Sequence, residues 1–247
     1  MRDLPPPLPP AERTVGQFVG ETIRAYGDNF WRALPLGVPL AVADQLATGQ
    51  QGEQLLVFLA VGPLFVAAYV WGCRLVLRAR PTMLAFLVGA LVYLPFPALR
   101  AVFVLPGIAW FAFIGLAVPA ALVEQPRFRE ALVRGRILGT TDYVHALGSL
   151  AVLVLVVGIG DQALTVALHS QADNSQRAAL FISDLVLSPL LYLGGALLYV
   201  DQAARVVGSG SRRSEPRTRK PRSRRDAHFH PPVDAQPAGR ADDQVEP

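Results

Sequence analysis

Residues 124–147 read EQPRFREALVRGRILGTTDYVHAL, a basic segment that separates two uncharged runs. The segment holds four arginines: Arg127, Arg129, Arg134 and Arg136. The preceding run, Ala101–Val123, contains no Asp, Glu, Lys or Arg, and neither does the following run, Val144–Gly160. Such a segment could contact nucleic acid, belong to an active site, or turn at the surface of a membrane. The rest of the sequence is needed to choose among these.

The composition favours a membrane protein. Of the 247 residues, 52% are hydrophobic and only 17% are charged, against about 25% charged in soluble globular proteins. The mean hydropathy is +0.35. Ten of the 23 Lys and Arg residues follow residue 200, so an apolar body carries a polar tail. Cys73 is the sole cysteine, which excludes an intrachain disulfide and leaves the redox compartment undetermined.

Six apolar runs dominate the body of the chain, and a helix needs roughly 20 residues to cross about 30 Å of hydrocarbon. The predicted spans are 31–47, 55–77, 82–99, 101–123, 144–168 and 178–200. The first is the weakest, because it is short and contains Pro35 and Pro39. We therefore predict an all-α fold, a polytopic membrane helix bundle with about six transmembrane helices.

Two amphipathic helices are predicted to lie in the membrane interface. The first begins at Thr14, with Gln17 placed to complete a capping box. The second begins near Pro126 and carries an apolar stripe, with Glu130 and Arg134 as an i,i+4 ion pair. Its arginines Arg127, Arg129, Arg134 and Arg136 either bind lipid headgroups or a partner, or only set the topology.

The distribution of basic residues predicts the orientation. If both termini are cytoplasmic, only Arg100 and Arg177 of the 23 basic residues lie outside. This predicts a multi-pass protein of the bacterial inner membrane. Three regions follow from the composition: a disordered Pro-rich stretch at 1–12, a membrane domain at 13–206, and a disordered basic tail at 207–247.

Three acids lie toward the outer ends of predicted spans: Asp44, Asp161 and Asp184. Intramembrane acids are often functional, so they could form a cation or proton site facing outward, with Asp161 and Asp184 in a shared polar cavity. The alternative is that each reaches headgroups or water. Prolines within the spans, such as Pro189, could mark a transport site or simply be tolerated there. Gly158 and Gly160 predict close helix packing.

No catalytic pattern is present in the sequence. The histidines lack the spacing of metal ligands, and we expect no cofactor or metal. His228 and His230, in the tail, could bind a metal adventitiously. The basic tail could be a nucleic-acid arm, a polybasic segment at anionic lipid, or a solvated segment without a partner. The upstream spans favour the lipid interpretation over nucleic acid.

Three stretches resemble a family of bacterial multi-span membrane proteins that includes the membrane domain of some glycerophosphodiester phosphodiesterases. The run VEQPRFREALVRGRILGTTDYVHALGSL matches at Glu124, Ala131, Leu132, Arg134 and Leu138, with Gly135 where that family usually has serine. TVGQFVGETIRAYGDNFWRALPL resembles the family's opening segment, and LLYVDQAARV its closing segment. The resemblance implies a six-span fold. It does not imply hydrolysis, because in those enzymes the chemistry belongs to a separate soluble domain.

The sequence therefore predicts a non-enzymatic membrane protein that acts as a scaffold or binds lipid or a partner. The expected partners are the bilayer and its anionic headgroups. The alternative is a small-solute or ion transporter or channel that uses Asp161 and Asp184. A transporter should contain a water-accessible cavity lined by one of these acids, whereas a scaffold should have packed spans without one.

Overall fold

A computed structural model describes residues 9–47, 54–102, 104–124, 127–168 and 173–214. Those residues form helices and turns, with no strand among them, so the predicted all-α fold is confirmed. The helices are α1 (Val15–Asp28), α2 (Phe30–Ala33), α3 (Val38–Ala47), α4 (Gln54–Leu77), α5 (Met83–Tyr93), α6 (Phe96–Val102), α7 (Val104–Ile114), α8 (Ala117–Val123), α9 (Phe128–Thr141), α10 (Tyr143–Ala167), α11 (Asp173–Leu187) and α12 (Pro189–Ser214). Short 3-10 turns occupy Pro10–Glu12 and Leu34–Gly37.

Four helical segments are long and apolar enough to cross a membrane. They are Gln54–Leu77, Val104–Val123, Tyr143–Ala167 and Asn174–Val207. Their outward faces carry apolar side chains such as Leu56 and Ile159, which are 62% and 58% exposed. A soluble protein rarely exposes so much contiguous apolar surface. Length, composition and surface thus indicate a helical membrane protein.

The two remaining predicted spans are not single long helices. The run 31–47 is divided into α2, a 3-10 turn and α3, because prolines at 35 and 39 lack the N–H that a continuous helix needs. The run 82–99 is divided at Leu94–Pro95 into α5 and α6, and the apolar stretch Met83–Leu99 is short. Each of these two runs is therefore divided between two α-helices.

Helix α12 lies at the centre of the bundle and packs against α1, α4, α9 and α10. Its inward side chains Leu193, Ala196 and Leu198 are fully buried. One core cluster joins α4, α5, α8 and α9 to α12, and a second joins α1, α7 and α10 to it. The bundle therefore surrounds the last long helix of the chain.

Some predicted regions lie partly or wholly outside the described residues. These are residues 1–8, residues 48–53 and 169–172 between predicted spans, Pro126, and the tail from 215 to 247 with His228 and His230. Within the described part, the turn at Pro10–Glu12 packs against α12. Helix α12 itself runs to Ser214, beyond the predicted end of the membrane domain at residue 206.

Candidate functional site

A cavity of about 310 Å³ lies among the helices of the bundle. Side chains from α3, α4, α5, α6, α7, α10 and α12 line it. Along α10 the lining runs from Leu150 to Asp161, which is about 16 Å of helix at 1.5 Å per residue. The cavity thus reaches from the middle of this apolar segment toward the end at which Ala167 lies.

Breaks in the helices bring several of the lining residues to the cavity. Tyr93 and Phe96 flank the break at Leu94–Pro95. Tyr192 lies in the first turn of α12, which begins at Pro189 after α11 ends at Leu187. Proline cannot donate the helical hydrogen bond, so the break at Pro95 and the start of α12 at Pro189 follow from the local sequence.

Aromatic rings form much of the cavity wall. The ring of Phe65 stacks on Tyr93 at a centroid distance of 5.2 Å, and Tyr69 meets Phe111 edge-on at 5.0 Å. The hydroxyl of Tyr69 donates to the carbonyl oxygen of Gly115 at 3.2 Å, and that of Tyr93 donates to Phe58 at 3.0 Å. These bonds between helices fix the rings in place as walls of the cavity.

Two of the three predicted acids line this cavity. Asp44 from α3 and Asp161 from α10 are both half-buried there. The hydroxyl of Ser183 on α11 donates to Oδ1 of Asp161 at 2.6 Å. Asp184, the neighbour of Ser183, is 4% exposed and is not among the lining residues. The structure therefore brings Asp44 and Asp161 together around one cavity and buries Asp184 beside it.

The two glycines of α10 differ in their surroundings. Gly158 lines the cavity, and a Cβ added there would meet nothing within 4 Å. A Cβ at Gly160 would lie 2.5 Å from Cδ1 of Leu187 on α11. The predicted close packing therefore applies to Gly160, while Gly158 leaves space in the cavity.

The four predicted arginines have three different environments in and around α9. Arg127 and Arg129 are exposed. Arg136 lies over the ring of Phe113, with the guanidinium carbon 5.7 Å from the ring centroid. Arg134 differs from the exposed arginines because it is engaged in an ion pair. Its Nε donates to both carboxylate oxygens of Glu124, at 2.9 and 3.0 Å.

The predicted pairing of Glu130 with Arg134 was wrong. Glu130 instead accepts a hydrogen bond from the backbone N–H of Arg127 at 3.2 Å, which caps the start of α9. Glu124, just beyond α8, reaches Arg134 and also accepts from the hydroxyl of Tyr199 at 3.1 Å. The pair thus ties α9 to the end of α8 and to α12.

A group of partly buried charged residues near α9 was missed by sequence reasoning. We call Arg13, Asp142, Asp201 and Arg205 the ion-pair cluster. Arg13 Nη1 lies 2.9 Å from Oδ1 of Asp201, whose side chain is fully buried. Arg205 Nη1 lies 2.6 Å from Oδ2 of Asp142, and its Nη2 donates to the carbonyl oxygen of Arg13 at 2.9 Å. The cluster links α12 to the starts of α1 and α10.

Sequence separation explains why the cluster was missed. Arg13 and Asp201 lie 188 residues apart, and Asp142 and Arg205 lie 63 apart, so neither pair follows helical spacing. Two of the stretches quoted from the sequence, TVGQFVGETIRAYGDNFWRALPL and LLYVDQAARV, meet at this cluster. Arg13 directly precedes the first, and Asp201 and Arg205 belong to the second.

Helix α1 is anchored to the bundle at both ends. The predicted capping box is confirmed, with Thr14 as N-cap and Gln17 as its partner. At the other end, the hydroxyl of Tyr26 donates to the carbonyl oxygen of Val186 at 2.8 Å. Burial raises the pKa of Tyr26, so the hydroxyl keeps its proton and continues to donate. Phe18 and Thr22, on the same face, are fully buried.

The described part of the chain contains no group of three or more His, Cys, Asp and Glu side chains placed to hold a metal ion. The fold and the cavity define a helical membrane protein with an internal, largely apolar cavity that carries two carboxylates. Neither a protein-family model, nor a curated protein, nor a solved structure matches the chain.

Proposed function

We propose that the protein is a non-enzymatic membrane protein that binds a small amphipathic molecule in this cavity. The observation that carries the proposal is the lining, in which apolar and aromatic side chains surround the carboxylates of Asp44 and Asp161. Binding sites for small molecules typically have volumes of about 300–1,000 Å³ and combine apolar walls with a few polar groups. A cavity of about 310 Å³ suits a small ligand with an apolar body.

We further propose that the chain crosses the bacterial inner membrane six times, with both termini in the cytoplasm. Contacts between the two ends of the membrane domain support this topology. Arg13 and Asp201 meet near the arginines of α9, which we assign to the cytoplasmic side. At the other end of the bundle, Gln45 donates to the carbonyl oxygen of Arg177 at 2.9 Å. The cavity acids then face the outer half of the membrane.

The proposal includes two interfacial helices, α1 and α9. On α9 the outward residues Val133 and Ile137 are 58% and 46% exposed, and Arg129 and Arg136 lie beside them. Apolar side chains can enter the acyl region while arginines meet anionic headgroups, at about 1 kcal/mol for each basic residue. Arg127, Arg129 and Arg136 are therefore the proposed headgroup contacts, and Arg134 serves the structure through Glu124.

The resemblance to the family of bacterial multi-span proteins remains part of this proposal. Its three segments surround the ion-pair cluster and the pair of Glu124 with Arg134. Proteins that share this fold would need these long-range contacts to hold it together, whereas the fold itself needs no catalytic group. We propose no role for the basic tail beyond attraction to anionic lipid, which fits a polybasic segment on the cytoplasmic side.

Transport is the second candidate function, and the cavity lined by Asp161 favours it. Helices broken at mid-membrane depth are common at transport sites. A transporter would release its ligand on the side of the ion-pair cluster, whereas a binding protein would not. An exchange assay distinguishes transport from binding. Proteoliposomes are loaded with unlabelled cavity ligand and diluted into labelled ligand. Only a transporter exchanges the two and accumulates labelled ligand inside.

The binding proposal is tested with neopentylbenzene, a small uncharged apolar probe. Protein in lipid nanodiscs should be stabilised by the probe, because a ligand that binds only the folded state raises the unfolding midpoint. Gly158→Phe should abolish the rise, since a Cβ at Gly158 meets nothing within 4 Å and the added ring would occupy space in the cavity. Gly20→Phe is the matched control, because Gly20 is exposed on α1 and also has open space around it.

The result depends on the difference between these two variants. Partition of the probe into the lipid affects both equally, so it cancels in the comparison. An equal rise of the midpoint in Gly158→Phe and Gly20→Phe would place the probe outside the cavity. No rise for any probe in the native chain would remove the proposed site.

A further inference from the structure

We infer that the ligand of this cavity is a lipophilic organic cation, such as a quaternary or substituted ammonium group on an aromatic or alkyl body. This inference rests on the proposed binding function and names its substrate class. Three features of the described lining carry it. They are the carboxylate of Asp161, the aromatic walls, and the size of the cavity.

The carboxylate of Asp161 provides the negative charge. Its side-chain partner is the neutral hydroxyl of Ser183, so the hydrogen bond holds the carboxylate without balancing its charge. A charge in apolar surroundings is unfavourable unless an opposite charge accompanies it. A ligand cation beside Asp161 would supply that charge. Asp44 adds a second carboxylate to the same lining.

The aromatic rings supply a second attraction that is selective for cations. The lining contains six of them: Phe65, Tyr69, Tyr93, Phe96, Phe111 and Tyr192. The face of an aromatic ring carries negative potential, and rings in a cavity recognise quaternary ammonium groups through it. Uncharged apolar ligands gain only burial from the same rings. The walls therefore favour a cation over a neutral molecule of equal shape.

An inorganic cation fits this lining poorly. Such ions need several oxygen ligands, typically six to eight for Ca²⁺. Two carboxylates in a cavity of about 310 Å³ leave most of the wall without oxygen ligands. The apolar volume instead requires an organic body attached to the positive group.

The test uses two probes that differ in one atom. Benzyltrimethylammonium and neopentylbenzene have the same shape, with a charged nitrogen in the first where the second has carbon. Affinities come from the dose dependence of the unfolding midpoint of the full chain in nanodiscs of zwitterionic lipid. We expect the cation to bind at least about tenfold more tightly than its neutral isostere, and benzylsulfonate to bind weakly.

Asp161→Asn identifies the group responsible. The amide oxygen can still accept from Ser183, so the fold is retained while the charge is removed. The preference for the cation should fall by about tenfold in this variant. Asp28→Asn, which removes an exposed carboxylate on α1, should leave the preference unchanged. A preference that is equal in the two variants overturns the role of Asp161.

The outcomes separate this inference from the function on which it rests. Equal affinity of the native protein for the two isosteres, with both lost in Gly158→Phe, overturns the cation class and leaves the binding site intact. Binding of the cation that persists in Gly158→Phe overturns the inference, since the probe is then elsewhere. If no probe binds the native protein more tightly than it binds Gly158→Phe, both proposals are overturned.

Discussion

At the scale of single residues, two glycines fix the position of α9. A Cβ at Gly135 would lie 2.5 Å from the Cα of Ala117, and one at Gly139 would lie 2.3 Å from the carbonyl oxygen of Phe113. The backbone of α9 therefore lies directly against the backbones of α7 and α8. Sequence reasoning could not identify what Gly135 touches, since the contact is between backbones.

Gly135→Ala should lower the unfolding midpoint, because the methyl group overlaps backbone atoms that cannot rotate away. The expected loss of stability is about 1–3 kcal/mol, as for other overpacked cores. Gly20→Ala is the control, since its Cβ has open space and alanine favours the helix by about 1 kcal/mol. A Gly135→Ala protein as stable as Gly20→Ala would contradict the close contact between α9 and α8.

At the scale of helices, the pair of Arg13 and Asp201 holds the start of α1 against α12. Arg13→Ala leaves the fully buried carboxylate of Asp201 without its partner, which should destabilise the fold by about 3–5 kcal/mol. Arg24→Ala removes the surface pair of Arg24 with Glu21, in which the arginine side chain is 56% exposed, and should change stability by less than about 1 kcal/mol. Equal unfolding midpoints for the two variants would show that the cluster does not anchor α1.

Helix α9 should lie at the lipid surface. Cys73 is fully buried, so a cysteine placed at Ile137 can be labelled selectively with a fluorophore. Lipids with a nitroxide near the headgroup should quench this label strongly, and more so in anionic than in zwitterionic bilayers. Replacing Arg127, Arg129 and Arg136 with Gln should remove the dependence on anionic lipid, at about 1 kcal/mol for each arginine. Equal quenching of the native protein's label in anionic and zwitterionic bilayers would contradict headgroup binding.

The helices show what local sequence can and cannot determine. The capping box at Thr14 was predictable because it depends on residues three apart. The partner of Arg134 was not, because the choice between Glu130 and Glu124 depends on where α8 ends relative to α9. Proline accounts for the breaks in the runs 31–47 and 82–99, because it lacks the N–H that a continuous helix needs.

At the scale of the whole molecule, apolar length was the most reliable signal. The four long segments were predicted from composition, because a membrane-crossing helix needs little beyond length and hydropathy. The cavity was only partly predictable. Asp44 and Asp161 stood out as acids in apolar runs, but nothing in the sequence placed Asp161 on the cavity and Asp184 outside its lining. That distinction depends on the rotation of α10 and α11 in the bundle.

The proposed orientation predicts the location of reporter fusions. Fusions after Arg80 and Arg136 should give cytoplasmic activity, and a fusion after Gln171 should give periplasmic activity, because arginine-rich segments are retained in the cytoplasm. The fusion after Gln171 serves as the control for export of the reporter. Periplasmic activity after Arg80 or Arg136 would reverse the orientation and move the cavity acids to the inner half of the membrane.

The central claim is a ligand cavity whose acids face the outer half of the membrane, and cysteine accessibility from outside the cell tests it most directly. Val154 lines the cavity, whereas its neighbour Leu155 is 59% exposed on the apolar surface. A membrane-impermeant, trimethylammonium-bearing thiol reagent is added outside cells that carry either substitution to cysteine. The account predicts that Val154→Cys reacts and is protected by benzyltrimethylammonium, while Leu155→Cys does not react. An inert Val154→Cys, or equal reaction at both positions, would contradict it.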